Sequence, residues 1–130
     1  MDIFSTYATD ETKENGGVWV EIGDAEFLIA RAGNAKYNKL LAKTYERNRK
    51  LLERKDEAAD KLAEQMMVDV MVATILLDWK NVQWQGKDFP YSEGNAKALL
   101  NIKDFRKQVS SLSEDFTAYQ AAEEEAQAKN

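Results

Sequence analysis

Carboxylates are the side chains of this sequence that cluster in a way that could do chemistry. Asp24 and Glu26 lie close together, the segment 56–60 holds three acidic residues, and Glu123 to Glu125 are consecutive. Carboxylate oxygens are the ligands that calcium prefers. However, none of the clusters has the glycine-containing, aspartate-rich pattern of a calcium loop, and helix starts favour acidic residues in any case. We therefore predict no functional metal site.

Catalysis is also not indicated. The sequence contains no histidine and no cysteine, which removes the commonest general base, the commonest metal ligand and thiolate chemistry. It contains no nucleophile elbow, no phosphate-binding glycine loop and no triad, and nothing singles out one pair of carboxylates as an acid and a base. We predict a binding protein that has no catalytic residues and no cofactor.

Two groups of apolar side chains are the candidates for binding a partner. They are Met66, Met67, Met71, Trp79, Trp84, Phe89 and Tyr91. The methionines lie in a predicted helix, where they would either form an adaptable groove or, more commonly, fill gaps in the core. The aromatic residues would either form an interface hot spot or hold a loop against the core, and the sequence favours neither.

The charge is unevenly distributed. The chain has a net charge of −5, yet the segment 36–55 has eight basic residues and two acidic ones. Such asymmetry can attract an oppositely charged partner. The more ordinary interpretation is a solvated helix face whose charge is balanced by nearby acidic residues. Tyr37 and Tyr45 lie on the apolar side of this segment rather than among the charges, which argues against a stacking surface for nucleic acid.

Chain length and periodicity predict a single, mainly α domain with an N-terminal β-hairpin (α+β), built around a central apolar helix. Residues 1–15 are polar and unpatterned, and we expect a flexible arm. The domain spans 16–120 with its hairpin at 17–30, and an acidic, frayed helical tail is expected at 121–130.

The hairpin register follows from a two-residue turn at Gly23-Asp24. The predicted pairs are Ile22 with Ala25, Val20 with Phe27 and Val18 with Ile29, which form one apolar face. The same register sets Glu21 opposite Glu26, a like-charge pair that costs some stability and that a longer loop would avoid.

Helices are predicted after the hairpin. Asn34 is a good N-cap, and no glycine or proline occurs in 35–84. The apolar pattern weakens at 53–56, where Asp56 could cap a new helix, so the sequence leaves open whether the helix breaks there.

The segment 60–80 is predicted to be the central helix, because its length and the helix-forming residues of 57–65 favour helix over strand. An irregular aromatic loop is expected at 78–91, followed by a short helix capped by Ser92 and another from about Ile102.

The longest apolar stretch, 66–77, is shorter than the roughly 20 residues that span a bilayer, and the first ten residues lack a secretory signal. We expect a soluble, intracellular protein that does not bind membranes.

Two motifs in this order are distinctive. The hairpin ends in Ile29-Ala30-Arg31-Ala32-Gly33-Asn34, and after the helices the chain continues with Asp78-Trp79-Lys80-Asn81-Val82 and then Pro90-Tyr91-Ser92. The arrangement resembles the tail assembly chaperones of long-tailed, siphovirus-type bacteriophages, and the similarity covers roughly Val18 to Phe116.

The resemblance implies a chaperone that binds the aggregation-prone tape-measure protein and helps tail-tube subunits assemble around it. It also implies action in the host cytoplasm, absence from the finished virion, and a longer product made by a −1 ribosomal frameshift. Ala128-Lys129-Asn130 can be encoded by GCA AAA AAC, which contains a slippery heptamer. Self-association stays open. The alternatives are a phage nucleic-acid-binding or regulatory protein that uses the basic helix 36–55, and a structural tail subunit.

Overall fold

A computed structural model describes residues 1–122 of the chain, and it has the predicted mainly helical α+β fold. Its helices are α1 (Ile3–Tyr7), α2 (Glu11–Gly16), α3 (Ala35–Leu52), α4 (Glu57–Thr74), α5 (Glu93–Leu100), α6 (Lys103–Glu114) and a final 3₁₀ turn (Phe116–Tyr119). Its strands are β1 (Val18–Ile22), β2 (Ala25–Ile29), β3 (Leu76–Lys80), β4 (Gln83–Trp84) and β5 (Lys87–Asp88).

The predicted hairpin and its register are confirmed. β1 and β2 are antiparallel with Val20 opposite Phe27 and Glu21 opposite Glu26. Gly23 takes a φ of 63°, a conformation that a tight turn needs and that glycine adopts without strain. Phe27 and Ile29 on the inner face are buried in the core.

The prediction of one helix over 60–80 is wrong at its C-terminal end. α4 stops at Thr74, and residues 76–80 form β3, which pairs antiparallel with β2 so that the order is β1-β2-β3. The Ala30 N–H donates to the Ile75 carbonyl oxygen at 2.8 Å, and Phe27 lies opposite Trp79. The exposed edge of β2 thus selects strand for the segment 76–80, which the sequence pattern alone assigned to the helix.

The aromatic loop predicted at 78–91 is also more regular than expected. Its first three residues belong to β3, and β4 and β5 form a small second hairpin. Phe89 N–H donates to the Val82 carbonyl oxygen at 2.9 Å, which holds this hairpin closed at its base.

Asn34 links three parts of the chain through one buried side chain. Its Oδ1 accepts from the Tyr37 N–H at 3.0 Å, which confirms it as the N-cap of α3. Its Nδ2 donates to the Arg31 carbonyl oxygen at 2.8 Å and to the Thr74 carbonyl oxygen at 3.1 Å. The same amide therefore caps the start of α3 and the end of α4.

The helix breaks at the point that the sequence left open. α3 ends at Leu52, and the Asp56 side chain accepts from the Ala59 N–H at 2.9 Å as the N-cap of α4. α4 is the central helix, in contact with α3, α5 and β3. Its buried residues are Ala59, Met66, Val68, Val70, Met71 and Thr74.

The N-terminal residues form two short helices where a flexible arm was predicted for 1–15. Asp2 and Asp10 cap these helices, and the Thr9 backbone forms a bridge with Gln120. Glu14 forms an ion pair with Arg31 at 3.0 Å. These contacts lie far apart in sequence, so local patterning did not reveal them.

Tyr119 anchors the last described turn to the sheet. Its side chain is fully buried, and its hydroxyl donates to the Ile29 carbonyl oxygen at 2.9 Å. Burial raises the pKa of Tyr119 to about 12, so the phenol remains a neutral donor at physiological pH. Ser92 caps α5 as predicted, and the tail predicted at 121–130 lies outside the described residues from position 123 onward.

The Asn34 linkage can be tested with Asn34→Asp and Asn34→Ala. The aspartate keeps the capping acceptor but loses both donors, and we expect it to lower the free energy of unfolding by about 1–3 kcal/mol because buried carbonyls lose their partner. The alanine loses the cap as well but places no carboxylate oxygen against the Arg31 and Thr74 carbonyl oxygens, so we expect a loss of about 1–3 kcal/mol for it too. Urea unfolding followed by circular dichroism measures both; an aspartate variant as stable as the wild type would contradict the linkage.

Candidate partner-binding surface

The α3–α4 pair leaves apolar side chains incompletely covered. α3 has no buried residue along its whole length, and α4 is its main contact. Tyr45 and Leu51 on α3 are each 48% exposed. A helix whose apolar side meets one neighbour leaves part of that side open to a second one.

A groove runs along this pair at the end where Leu52 and Asp56 connect the two helices. Its volume is about 420 Å³, and its walls are mostly apolar. The apolar residues that line it are Leu41, Tyr45, Leu52, Ala59, Ala63, Met66 and Met67. Glu53, Lys55 and Asp60 give it a charged rim. We call it the α3–α4 groove; its shape and chemistry suit the apolar face of an amphipathic helix.

The three methionines predicted as partner-binding residues are not equivalent. Met66 and Met67 line the groove, although Met66 is itself 7% exposed and belongs largely to the core. Met67 is half-buried, and the Tyr37 hydroxyl lies 3.9 Å from its sulfur. Met71 is buried against α6, with Ser110 Oγ 3.9 Å from its sulfur, and does not line the groove.

The four predicted aromatic residues form one cluster. Trp79 is buried in β3, and its Nε1 donates to the Phe89 carbonyl oxygen at 2.7 Å. The Tyr91 ring lies edge-on to the Trp79 ring, with 5.0 Å between the ring centroids. The Tyr91 hydroxyl donates to the Leu76 carbonyl oxygen at 2.9 Å. Burial, then the nearby Glu93 and Asp78 carboxylates, raise the pKa of Tyr91.

Trp84 is the exposed member of this aromatic cluster. It lies in the β4–β5 hairpin and is 37% exposed, and its ring centroid lies 5.2 Å from that of Phe89. The structure therefore assigns the core-holding role to some of these residues, while an interface role stays a prediction. Trp79 and Tyr91 hold the segment against the core, whereas Trp84 is available at the surface. The cluster and the α3–α4 groove share no lining residue.

The groove residues of α3 were not among the predicted binding residues. Tyr45 was predicted only to lie on the apolar side of the segment 36–55, and the sequence did not single out Leu41, Leu52 or, on α4, Ala63. A second groove of about 400 Å³ between the sheet and α6 was not foreseen either. It is lined by residues from separate segments, among them Phe27, Val82, Leu99, Ile102 and Phe105. Such segments are joined only by the tertiary fold.

The basic segment 36–55 has an unpaired face. Arg49 and Arg54 form ion pairs with neighbouring carboxylates. Within residues 1–122, five other basic side chains of α3 form no ion pair: Lys36, Lys39, Lys43, Arg47 and Lys50. Their spacing of three or four residues aligns them on one side of the helix. We call this row the basic stripe.

Two further features concern the described residues: clustered acidic side chains and membrane-spanning helices. Across positions 1–122, no three acidic side chains are grouped so as to hold a metal ion. The helices in this part of the chain are all too short or too polar to cross a membrane. Asp69, on the most apolar helix, is exposed and lies 3.4 Å from Lys97 Nζ, so its charge is solvated.

Comparison with known proteins gives one match. The family described as YdaY prophage protein matches residues 32–130, which is more than half of the chain and includes α3, α4 and the aromatic cluster. No curated protein and no solved structure matches.

The two tryptophans of the aromatic cluster should differ in their effect on stability. Trp79→Ala removes a buried ring and its hydrogen bond, and should lower the free energy of unfolding by about 3–5 kcal/mol. Trp84→Ala removes one partly exposed ring contact and should cost about 1 kcal/mol. Urea unfolding followed by far-ultraviolet circular dichroism measures both values. Equal costs would mean that Trp84 belongs to the core and is not available to a partner.

Proposed function

The chain belongs to the YdaY prophage protein family and is therefore phage-derived, and we propose that it is a tail assembly chaperone. In this proposal it binds the tape-measure protein without catalysis, in the host cytoplasm, assists tail-tube assembly, and is absent from the mature virion. The resemblance of the motifs at 29–34 and 78–92 to such chaperones supports the proposal. The family match supports the phage origin alone.

The α3–α4 groove is the observation that carries the proposal. A protein that keeps a long, helical, aggregation-prone partner dispersed needs an open apolar surface that accepts amphipathic helices. The groove is about 420 Å³, apolar on its walls and charged at its rim. Met67 and the half-exposed Tyr45 give it side chains that can adapt to different sequences. The net charge of −5 helps to keep a loaded complex in solution.

Ala63 offers a way to block the groove at little cost to the fold. It is exposed on α4 and lines the groove, and glutamate is a good helix former. Ala63→Glu should therefore fold normally while introducing a charge where an apolar helix would bind. Ala42→Glu is the matched control, because Ala42 is exposed on α3 and does not line the groove.

Co-expression with the tape-measure protein of the same phage genome tests the proposal. We expect the wild type and Ala42→Glu to keep the tape-measure protein soluble and to co-purify with it, and Ala63→Glu to reduce co-purification about tenfold or more, as expected when a charge is buried in an apolar contact. If the wild type neither binds nor solubilises the tape-measure protein, the proposal is wrong. A stoichiometric amount of this chain in purified virions would instead indicate a structural tail subunit.

A second candidate function, nucleic-acid binding, is favoured by the basic stripe. Within residues 1–122, five cations without an ion pair lie on one side of the 18-residue α3 and form a row of positive charge that could follow a phosphate backbone. This function would use the outer side of α3, whereas the chaperone function would use the side that faces α4.

Charge reversal distinguishes the second candidate. If the stripe binds DNA, Lys43→Glu with Arg47→Glu should weaken binding of a fluorescent duplex and reduce the slope of log affinity against log salt by about 2. Lys103→Glu with Lys107→Glu, on α6, makes the same change in net charge away from the stripe. Fluorescence anisotropy at several salt concentrations measures the slopes. No binding by the wild type, or equal loss in both double variants, would exclude this function.

A further inference from the structure

The second groove, which lies between the sheet and α6, combines a buried apolar base with an exposed apolar wall. We call it the α6 groove, and its volume is about 400 Å³. The buried side chains of Phe27 and Leu99 lie at its base, and Phe105 is half-buried beside them. Ile102 also lines the groove and is 44% exposed, so part of the apolar wall is in contact with solvent. The volume is in the range of known binding pockets.

Ile102 occupies a position where helix stability favours a different residue. It is the N-cap of α6, and its side chain makes no capping hydrogen bond. Every other helix in the described residues has a capping side chain: Asp2, Asp10, Asn34, Asp56, Ser92 and Asp115. A serine, threonine, aspartate or asparagine would satisfy a free N–H group of α6, whereas isoleucine satisfies none. Departures from such local rules are expected at functional sites.

The hairpin end of the groove is negatively charged. Asp24 lines the groove, and within residues 1–122 it forms no ion pair. Glu21 and Glu26, on the other face of the hairpin, form none in this part of the chain either. Lys80 lies opposite Glu26, but its ammonium group is 4.1 Å from the centroid of the Trp19 ring. Three carboxylates against one cation give this end a potential that attracts a basic partner.

The position of Asp24 is fixed by a second turn. Asn81, which follows β3, has a φ of 60°, a left-handed conformation that asparagine tolerates better than most residues. Its Nδ2 donates to the Asp24 carbonyl oxygen at 2.9 Å, so the two turns that line the groove are joined. A groove whose walls are already fixed loses less conformational freedom when a partner binds.

From the apolar wall, the uncapped Ile102 and the charge of Asp24, we propose that the α6 groove binds a partner-protein segment in which an apolar side chain lies next to lysine or arginine. The apolar side chain contacts Ile102 and Phe105, and the cation lies beside the Asp24 carboxylate. Lys103 and Asp104, which follow Ile102, offset each other in charge, so Asp24 determines the sign of the partner. Small-molecule pockets enclose most of their ligand, whereas this groove is open along Ile102 and suits a protein segment better.

Three short peptides with blocked ends test this chemistry: Gly-Leu-Lys-Leu-Gly, Gly-Leu-Glu-Leu-Gly and Gly-Ser-Lys-Ser-Gly. Amide signals in ¹H–¹⁵N NMR spectra report binding at each residue of the full chain, up to millimolar peptide. We expect the leucine–lysine peptide to shift the signals of Val82 and Phe105, and to bind about threefold more tightly than the leucine–glutamate peptide, as an exposed ion pair allows. The serine–lysine peptide should not shift these signals.

Ile102→Thr tests the apolar wall without harm to the fold. Threonine keeps the β-branch and supplies a capping hydroxyl, so the urea midpoint should stay the same or rise. Loss of the apolar contact should weaken binding of the leucine–lysine peptide roughly fivefold. Ile3→Thr is the matched control, because Ile3 is 67% exposed and does not line the groove. Its affinity for the peptide should equal that of the wild type.

Asp24→Asn tests the charge. Asparagine suits a tight turn as well as aspartate does, so the hairpin should be kept. The leucine–lysine and leucine–glutamate peptides should then bind equally. Asp60→Asn makes the same change in net charge on α4, outside the α6 groove, and should keep the threefold preference.

The proposal is overturned if the leucine–lysine peptide does not shift the Val82 and Phe105 signals, if it binds no better than the glutamate peptide, or if Ile102→Thr binds it as tightly as the wild type does. Shifts of these signals with protein concentration alone would also overturn it, since a second copy would then fill the groove. The two grooves share no lining residue, so Ala63→Glu should leave peptide binding here unchanged. The proposal is therefore tested separately from the chaperone function.

Discussion

The side chain of Asn34 is the constraint on which the arrangement of the two long helices depends. Its amide accepts from the first turn of α3 and donates to the last carbonyl of α4, while a further bond holds the loop that leaves β2. With these two helix ends fixed together, α3 and α4 must run side by side toward the turn that follows Leu52. That geometry sets the groove at the far end of the pair, away from the sheet. A buried amide can do this because it is both donor and acceptor, and all its partners are backbone groups whose positions are already fixed.

The residues that carry the resemblance to tail assembly chaperones mainly hold the fold together. The stretch 29–34 contains the buried end of β2 and the Asn34 cap. The stretch 78–82 contains Trp79, whose ring contacts that of Tyr91 in the stretch Pro90-Tyr91-Ser92. These residues therefore serve the core of this chain. The surfaces proposed for the chaperone and nucleic-acid functions lie elsewhere, on α3 and on the part of α4 that faces it.

The α3–α4 groove and the basic stripe both involve α3, which has one main neighbour, α4. Because α3 has one covered side and one open side, it exposes both the groove and the basic stripe. α4, by contrast, is covered by α3, α5 and β3, and its methionines mostly serve the core. Exposure of apolar side chains therefore follows from position in the fold rather than from residue type.

The sequence by itself determined the features that depend on local physics. The hairpin register followed from a two-residue turn and alternation, and the caps Asn34 and Ser92 followed from side chains that satisfy free N–H groups at helix starts. The tertiary structure alone decided that residues 76–80 are a strand, because that choice depends on the open edge of β2, some 50 residues earlier in the chain. The tertiary structure also decided that the N-terminal residues are ordered, because Thr6 and Thr9 form hydrogen-bonded contacts with Gln120. Of the seven candidate binding residues, it separated those that face the groove or solvent from those buried in the core. Periodicity shows that a side of a helix is apolar, but only the packing of the other elements determines which part of that side remains uncovered.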